Sequence, residues 1–110
     1  MTSLEEAKKI ATILDDKKAV DVRILKVTDL TIVAEYFVIA TGNSSTHVKS
    51  LADEVDYQMG QAGIEGRLEG RASDWILIDF GSTIVHVFEP SAREHYNLER
   101  LWADAEEITL

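Results

Sequence analysis

The stretch WILIDFGSTIVHVF, residues 75–88, decides the fold. Two runs rich in apolar and β-branched residues flank the dipeptide Gly81-Ser82, and glycine at the first position of a two-residue loop suits a type II′ hairpin turn. Such a loop pairs Phe80 with Thr83, and every further pair along the two strands follows from that one. The sequence therefore predicts an antiparallel hairpin with a defined register.

The two faces of this hairpin differ in composition. Because side chains alternate along a strand, one face is almost purely aliphatic and is expected to be core: Ile76, Ile78, Phe80, Thr83, Val85 and Val87. The opposite face, called here the mixed face, carries Trp75, Leu77, Asp79, Ile84, His86 and Phe88. Either a helix covers the mixed face, or the face binds a partner, since interface centres favour large aromatic groups with a few polar ones. Asp79 and His86 are diagonal neighbours, so the pattern also allows a pH-sensitive ion pair between them.

Hydrophobic spacing predicts the elements that precede the hairpin. Residues 3–18 have apolar side chains at three- and four-residue intervals, and Ser3 and Glu6 are spaced as a capping box that opens a helix. Residues 20–27 alternate as a half-buried strand does. Residues 35–41, EYFVIAT, are the nearly unbroken apolar run expected of a strand inside a sheet.

A second helix is predicted after the turn Gly42-Asn43-Ser44-Ser45, whose polar residues can cap it. The apolar stripe expected on its buried face consists of Val48, Leu51, Ala52, Val55 and Met59. Residues 66–70 predict a short strand.

The chain after the hairpin predicts two helices. Pro90 starts the first, with Ser91 and Glu94 spaced as a capping box, and Asn97 marks a break. The second carries the apolar residues Leu98, Leu101, Trp102 and Ala105. Together the elements predict an α/β (α+β) fold in one domain spanning residues 1–110, with a mixed sheet of about five strands and helices packed on it.

Charge and composition narrow the functional classes. The chain has 11 basic and 20 acidic side chains, a net charge of −9, and residues 28–110 hold fifteen of the acids but five of the bases. Such a chain is repelled by a phosphate backbone, so a basic protein is a better partner than nucleic acid. There is no cysteine and no apolar run of the ~20 residues that a membrane span needs. The start, MTSLEEAKKI, lacks the pattern of a secretory signal, which favours the cytoplasm.

The residues give little sign of an enzyme. The Gly42 turn resembles a phosphate-cradling turn and the opening of nucleotidyltransferases, but those enzymes need two carboxylates alternating on a strand to hold Mg²⁺. Asp79 lies on a strand, yet the residue two positions later is Gly81. The three histidines share no metal-ligand spacing. No catalytic residue, metal or cofactor is therefore expected, and a nucleotide-binding enzyme of nucleotidyltransferase type is the alternative.

Four strings carry a resemblance over nearly the whole chain, from about residue 7 to residue 105. YFVIATG at 36–42, WILIDFG at 75–81, VHVF at 85–88 and YNLERLW at 96–102 resemble the ribosomal silencing factor S family, also called Iojap. The resemblance implies a nucleotidyltransferase-like core without the catalytic carboxylate pair. It implies a translational repressor that binds the large ribosomal subunit through ribosomal protein L fourteen and blocks joining of the small subunit. A role in large-subunit assembly and a free form that is often a dimer are also implied.

The resemblance extends to single residues. Trp75, Asp79 and His86 match the family's tryptophan, aspartate and histidine on the strands that face the ribosomal protein, and Tyr96 matches the tyrosine of the following helix. The resemblance thus favours the mixed face as a binding surface. The predicted partner-binding residues are Trp75, Leu77, Asp79, Ile84, His86, Phe88 and Tyr96.

Overall fold

A computed structural model describes residues 1–70 and 73–110. The helices of this part of the chain are α1 (Ser3–Asp16), α2 (Ser45–Gln61), α3 (Pro90–Tyr96) and α4 (Leu98–Leu101). The strands are β1 (Val20–Lys26), β2 (Tyr36–Thr41), β3 (Arg67–Glu69), β4 (Trp75–Asp79), β5 (Thr83–Phe88) and β6 (Glu106–Ile108). They form a six-stranded sheet in the order β3-β4-β5-β2-β1-β6. Strands β2 and β5 run parallel and the other neighbours antiparallel, which confirms a mixed α+β fold.

The hairpin of β4 and β5 has the predicted register. Trp75 lies opposite Phe88 and Asp79 opposite Ile84. The Phe80 N–H donates to the Thr83 carbonyl oxygen at 3.0 Å, and Gly81 has a φ of +88°, a backbone conformation that glycine adopts without strain. The two-residue loop therefore fixes which side chains share a face.

The aliphatic face of the hairpin lies in the main core, as predicted. Helices α1 and α2 pack on this side of the sheet, and the stripe predicted for α2 is fully buried against it. Strand β2 is buried along its whole length between β5 and β1. A Cβ on Gly42 would lie 2.8 Å from Cγ2 of Val48, so glycine is what allows the end of β2 to contact the first turn of α2 so closely.

A second core covers the opposite face of the sheet. Its buried members are Leu25, Val27, Ala34, Phe37, Ile39, Ile84, Phe88 and Ala92. Around its margin are the partly buried Trp75, Leu77, Leu98, Trp102 and Ala105. The chain from α3 onward thus lies over part of the mixed face.

The first helix begins differently from the prediction. Its capping box is formed by Thr2 and Glu5: the Glu5 N–H donates to Oγ1 of Thr2 at 3.1 Å, and the Thr2 N–H donates to Oε1 of Glu5 at 2.8 Å. The Ser3–Glu6 box is therefore wrong by one residue. The Ser3 hydroxyl donates instead to Glu35 at 2.6 Å, and Glu6 lies buried at the edge of the core.

The chain after the hairpin departs further from the prediction. Helix α3 begins at Pro90 with no side-chain cap, so the Ser91–Glu94 box is wrong. Asn97 has a φ of +46° and ends that helix, but α4 after it is a single turn. Strand β6 then pairs with β1, which makes six strands rather than about five.

A buried arginine on α3 ties this end of the chain to the sheet. The Arg93 side chain is 9% exposed; its Nη1 donates to the Asp21 carbonyl oxygen at 2.7 Å and to Oγ1 of Thr41 at 2.9 Å. Its Nε donates to Glu99 at 3.3 Å. Asp21 has a φ of +49° at an irregularity in β1, which is why Val20 is exposed instead of following the predicted alternation.

Candidate functional site

The mixed face is divided between a covered half and an open half. On β5, Ile84, His86 and Phe88 are 7%, 5% and 0% exposed, because this strand has a neighbour on each side and the C-terminal chain lies over it. On β4, Trp75 and Leu77 are half-buried. The covering that one alternative predicts is thus observed over β5, and the half on β4 is left accessible, as the partner-binding alternative requires.

The covered half corrects part of the predicted site. The side chains of Ile84, His86 and Phe88 offer a partner almost no surface, so they support the site from below rather than line it. The hairpin register assigns side chains to a face, but it does not show what lies over that face.

Trp75 and Tyr96 form the exposed centre of the candidate site, called here the aromatic patch. The Trp75 ring is stacked on Phe88 with centroids 5.0 Å apart at 27°, and the Tyr96 ring lies 4.8 Å from it. Tyr96 is 47% exposed. Helix α3 thus carries its tyrosine to the tryptophan of β4, with Phe88 as the floor beneath.

The polar members of the mixed face do not meet. Oδ1 of Asp79 accepts a hydrogen bond from the Gly81 N–H at 2.8 Å, and Oδ2 lies 3.9 Å from Nη2 of Arg67. Nδ1 of His86 accepts a hydrogen bond from Nε1 of Trp75 at 3.2 Å. The ion pair that the pattern allowed between Asp79 and His86 therefore does not form. Burial lowers the pKa of His86 to about 4, so this imidazole is neutral near pH 7.

The histidine contact is the feature of the site that sequence reasoning missed. The hairpin register could have predicted this contact, because it makes His86 a diagonal neighbour of Trp75. Pairing the imidazole with the carboxylate of Asp79 overlooks the indole N–H as a hydrogen-bond donor.

Several backbone donors of the turn at Gly42 are already engaged within the protein. The Gly42 N–H donates to the Phe88 carbonyl oxygen at 2.9 Å, and the Asn43 N–H donates to Nδ1 of His47 at 2.9 Å. The His47 N–H donates to Oγ of Ser44 at 3.2 Å, so Ser44 is the cap of α2. The close contact with Val48 explains the glycine without a ligand.

The cavity beside this turn is acidic. It measures about 410 Å³, and Asp21, Glu94 and Glu99 line it together with Arg93, whose guanidinium already contacts Asp21 and Glu99. In residues 1–70 and 73–110, no three His, Asp or Glu side chains are grouped as a metal site would require. No helix of the described residues is both long and apolar enough to cross a membrane.

Fold and site together define a small α+β protein of net charge −9 that presents an aromatic patch on one face of its sheet. Residues 1–110 match the family model described as ribosomal silencing factor during starvation, and the chain belongs to this family. The resemblance noted in the sequence is thereby confirmed.

Relatives and solved structures agree with this membership. The ribosomal silencing factor of Bacillus subtilis is 41% identical over 97 residues, covering 86% of this chain and 82% of the relative. A mouse protein named for mitochondrial assembly of the ribosomal large subunit is 30% identical, covering 84% of this chain and 43% of its own length. A crystal structure from Chromobacterium violaceum matches with a TM-score of 0.91 at 34% identity, over 94% of this chain and 88% of that one. One from Bacillus halodurans matches with a TM-score of 0.83 at 38% identity, over 96% and 99%.

Proposed function

We propose that this single-domain protein is a non-enzymatic translational repressor. It binds the large ribosomal subunit in the cytoplasm through ribosomal protein L fourteen and thereby blocks joining of the small subunit. Membership of a family named for ribosomal silencing supports the general role. The observation that supports binding to a ribosomal protein is the aromatic patch, which lies on the sheet at the open half of the mixed face.

The patch has the composition and support of an interface centre. Trp and Tyr supply large contact areas with few rotatable bonds, and alanine scanning finds such residues to dominate binding energies. Phe88 is fully buried beneath Trp75, so the patch is already ordered before a partner arrives. Leu77 and Asp79 lie beside it on the same strand and complete the open half of the mixed face.

Charge supports a basic protein as the partner. The chain has a net charge of −9, and its acids are concentrated after residue 27. A field of this sign attracts a basic ribosomal protein and repels ribosomal RNA, so it disfavours a direct grip on nucleic acid.

The mechanism is steric. The molecule extends 33 × 33 × 23 Å. A protein of this size, bound on the face of the large subunit that contacts the small subunit, occupies space that the small subunit needs. The name of the mouse relative supports an additional role in large-subunit assembly. We also propose a dimer as the free form.

Sedimentation with isolated ribosomal subunits tests the proposal. The wild-type protein should migrate with the large subunit, and Trp75→Ala should lose this association. Tyr57→Ala is the matched control, because Tyr57 is 63% exposed on α2, which packs on the other face of the sheet. Migration with the small subunit alone, or equal binding by Trp75→Ala, would contradict the proposal.

The nucleotide-binding alternative has its own test. Because the Gly42 and Asn43 N–H groups are engaged within the protein and the described residues hold no cluster of three metal-binding side chains, we expect no saturable binding of Mg²⁺-nucleotide. Micromolar binding accompanied by turnover would favour the enzyme.

A further inference from the structure

His86 occupies a position where an apolar residue would be easier to bury. Its side chain lies among the rings of Phe37, Trp75 and Phe88, with centroid distances of 5.0, 5.8 and 6.3 Å. Nδ1 accepts from the Trp75 indole, so the neutral ring has its proton on Nε2. That Nε2 is buried and has no hydrogen-bond partner among the described residues. A buried donor without a partner is destabilising, so the imidazole calls for an explanation other than packing.

The hydrogen bond fixes a degree of freedom that stacking leaves open. Contact with Phe88 and Tyr96 sets the plane of the Trp75 indole, but a stacked ring can rotate so that either edge points inward. The bond from Nε1 to the buried Nδ1 of His86 selects the orientation in which the N–H edge faces the sheet. The rest of the ring is then left for the outer surface.

We propose that His86 is a positioning residue for the aromatic patch. It holds the Trp75 indole in one orientation, so that the apolar part of the ring faces the partner and no rotamer freedom is lost on binding. This inference rests on the proposed binding role of the patch. It gives His86 a function through Trp75 and not through contact with the partner.

Two substitutions separate the hydrogen bond from packing, because leucine is close to histidine in volume but has no acceptor, whereas the smaller asparagine keeps one. His86→Asn keeps an acceptor close to the position of Nδ1, whereas His86→Leu removes it and also removes the partnerless Nε2. We expect His86→Leu to be folded and at least as stable as wild type near pH 7. His86→Phe is a second variant without an acceptor, should the leucine variant fail to fold.

The first measurement is nuclear magnetic resonance of the indole N–H groups. Wild type should show an unprotonated Nδ1 on His86 and a Trp75 indole proton protected from exchange. In His86→Leu this indole resonance should shift and exchange faster, while His86→Asn should retain most of the protection. The Trp102 indole resonance is the internal control. A protonated Nδ1 in wild type, or an unchanged Trp75 resonance in His86→Leu and His86→Phe, would overturn the proposal.

The second measurement is affinity for the large subunit. We expect His86→Leu to bind about three- to tenfold more weakly, the effect of ordering one large side chain, and His86→Asn to stay closer to wild type. Unchanged affinity in a folded His86→Leu whose indole resonance has moved would refute the positioning role. If wild type itself does not bind the subunit, the proposed function fails, and the indole measurement still decides whether His86 orients Trp75.

Discussion

The arginine that joins α3 to the sheet gives a sharp prediction about stability. Arg93→Ala removes a side chain that is 9% exposed and whose guanidinium donors reach the Asp21 carbonyl, Thr41 and Glu99. We expect the free energy of unfolding to fall by about 3 kcal/mol. The exposed Arg67 is the matched control, because its side chain is 76% exposed and its ion pairs measure 3.7 and 3.9 Å.

The size of this loss depends on the carboxylates that the Arg93→Ala variant leaves without their arginine. Breaking a buried ion pair by removing one partner costs about 3–5 kcal/mol. The Asp21 carboxylate is 52% exposed and remains solvated, whereas the Glu99 side chain is 26% exposed and loses its partner, so the lower end of that range applies. For Arg67→Ala we expect a loss below about 1 kcal/mol, as for other surface pairs.

Urea denaturation followed by tryptophan fluorescence measures both variants, since Trp75 and Trp102 flank the second core. Arg93→Ala should also weaken large-subunit binding, because Tyr96 is on the helix that Arg93 holds. Equal losses of stability in the two variants would show that the buried contacts do not stabilise the C-terminal chain.

Three further predictions concern the patch, pH and salt. Trp75→Ala should lower affinity for the large subunit at least about tenfold, with a modest loss of thermal stability. Ile78→Ala, at a fully buried position, should instead lose about 2–5 kcal/mol of stability. Calorimetry and binding measurements that give the reverse pattern would contradict the assignment of the two faces. Because burial holds the pKa of His86 at about 4 in the folded protein, below the 6.5 of an ordinary histidine, the unfolded chain binds more protons between these pH values, and stability falls as pH drops. In urea denaturation, the free energy of unfolding should fall by about 2 kcal/mol between pH 7 and 5. His86→Leu should not show this loss, and His95→Leu should still show it. Association with the large subunit should slow as salt rises while dissociation changes less, because screening shortens the reach of charge to ~10 Å at 0.1 M; a salt-independent association rate in stopped flow would argue against steering.

Local rules predicted the parts of the fold that local geometry controls. The two-residue loop at Gly81 fixed the hairpin register, and the spacing of apolar residues predicted the buried face of α2. The capping box failed by one residue because Thr2 and Ser3 are both good caps with a glutamate three positions later.

The failures at the C-terminal end have a different cause. Strand β6 is a charged segment that becomes a strand by pairing with β1. Its Ile108 lies opposite Ile24, a residue from the other end of the sequence. Arg93 reads from sequence as a surface residue of a helix, and its burial depends on backbone groups more than seventy residues away. The covering of His86 and Phe88 depends on the same long-range packing. Periodicity contains no information about such contacts.

The pairing of β1 with β6 has a consequence for synthesis. Strand β1 is synthesised first, but its outer neighbour β6 is the last strand to be synthesised. Strand β2 cannot complete its parallel pairing with β5 until residue 88 has been added. A nascent chain that ends before α3 holds neither Tyr96 nor the arginine that secures it, so its Trp75 lies on an unfinished surface. The aromatic patch therefore forms only when nearly the whole chain is available to fold, and a partial translation product lacks the complete surface that we propose for binding the large subunit.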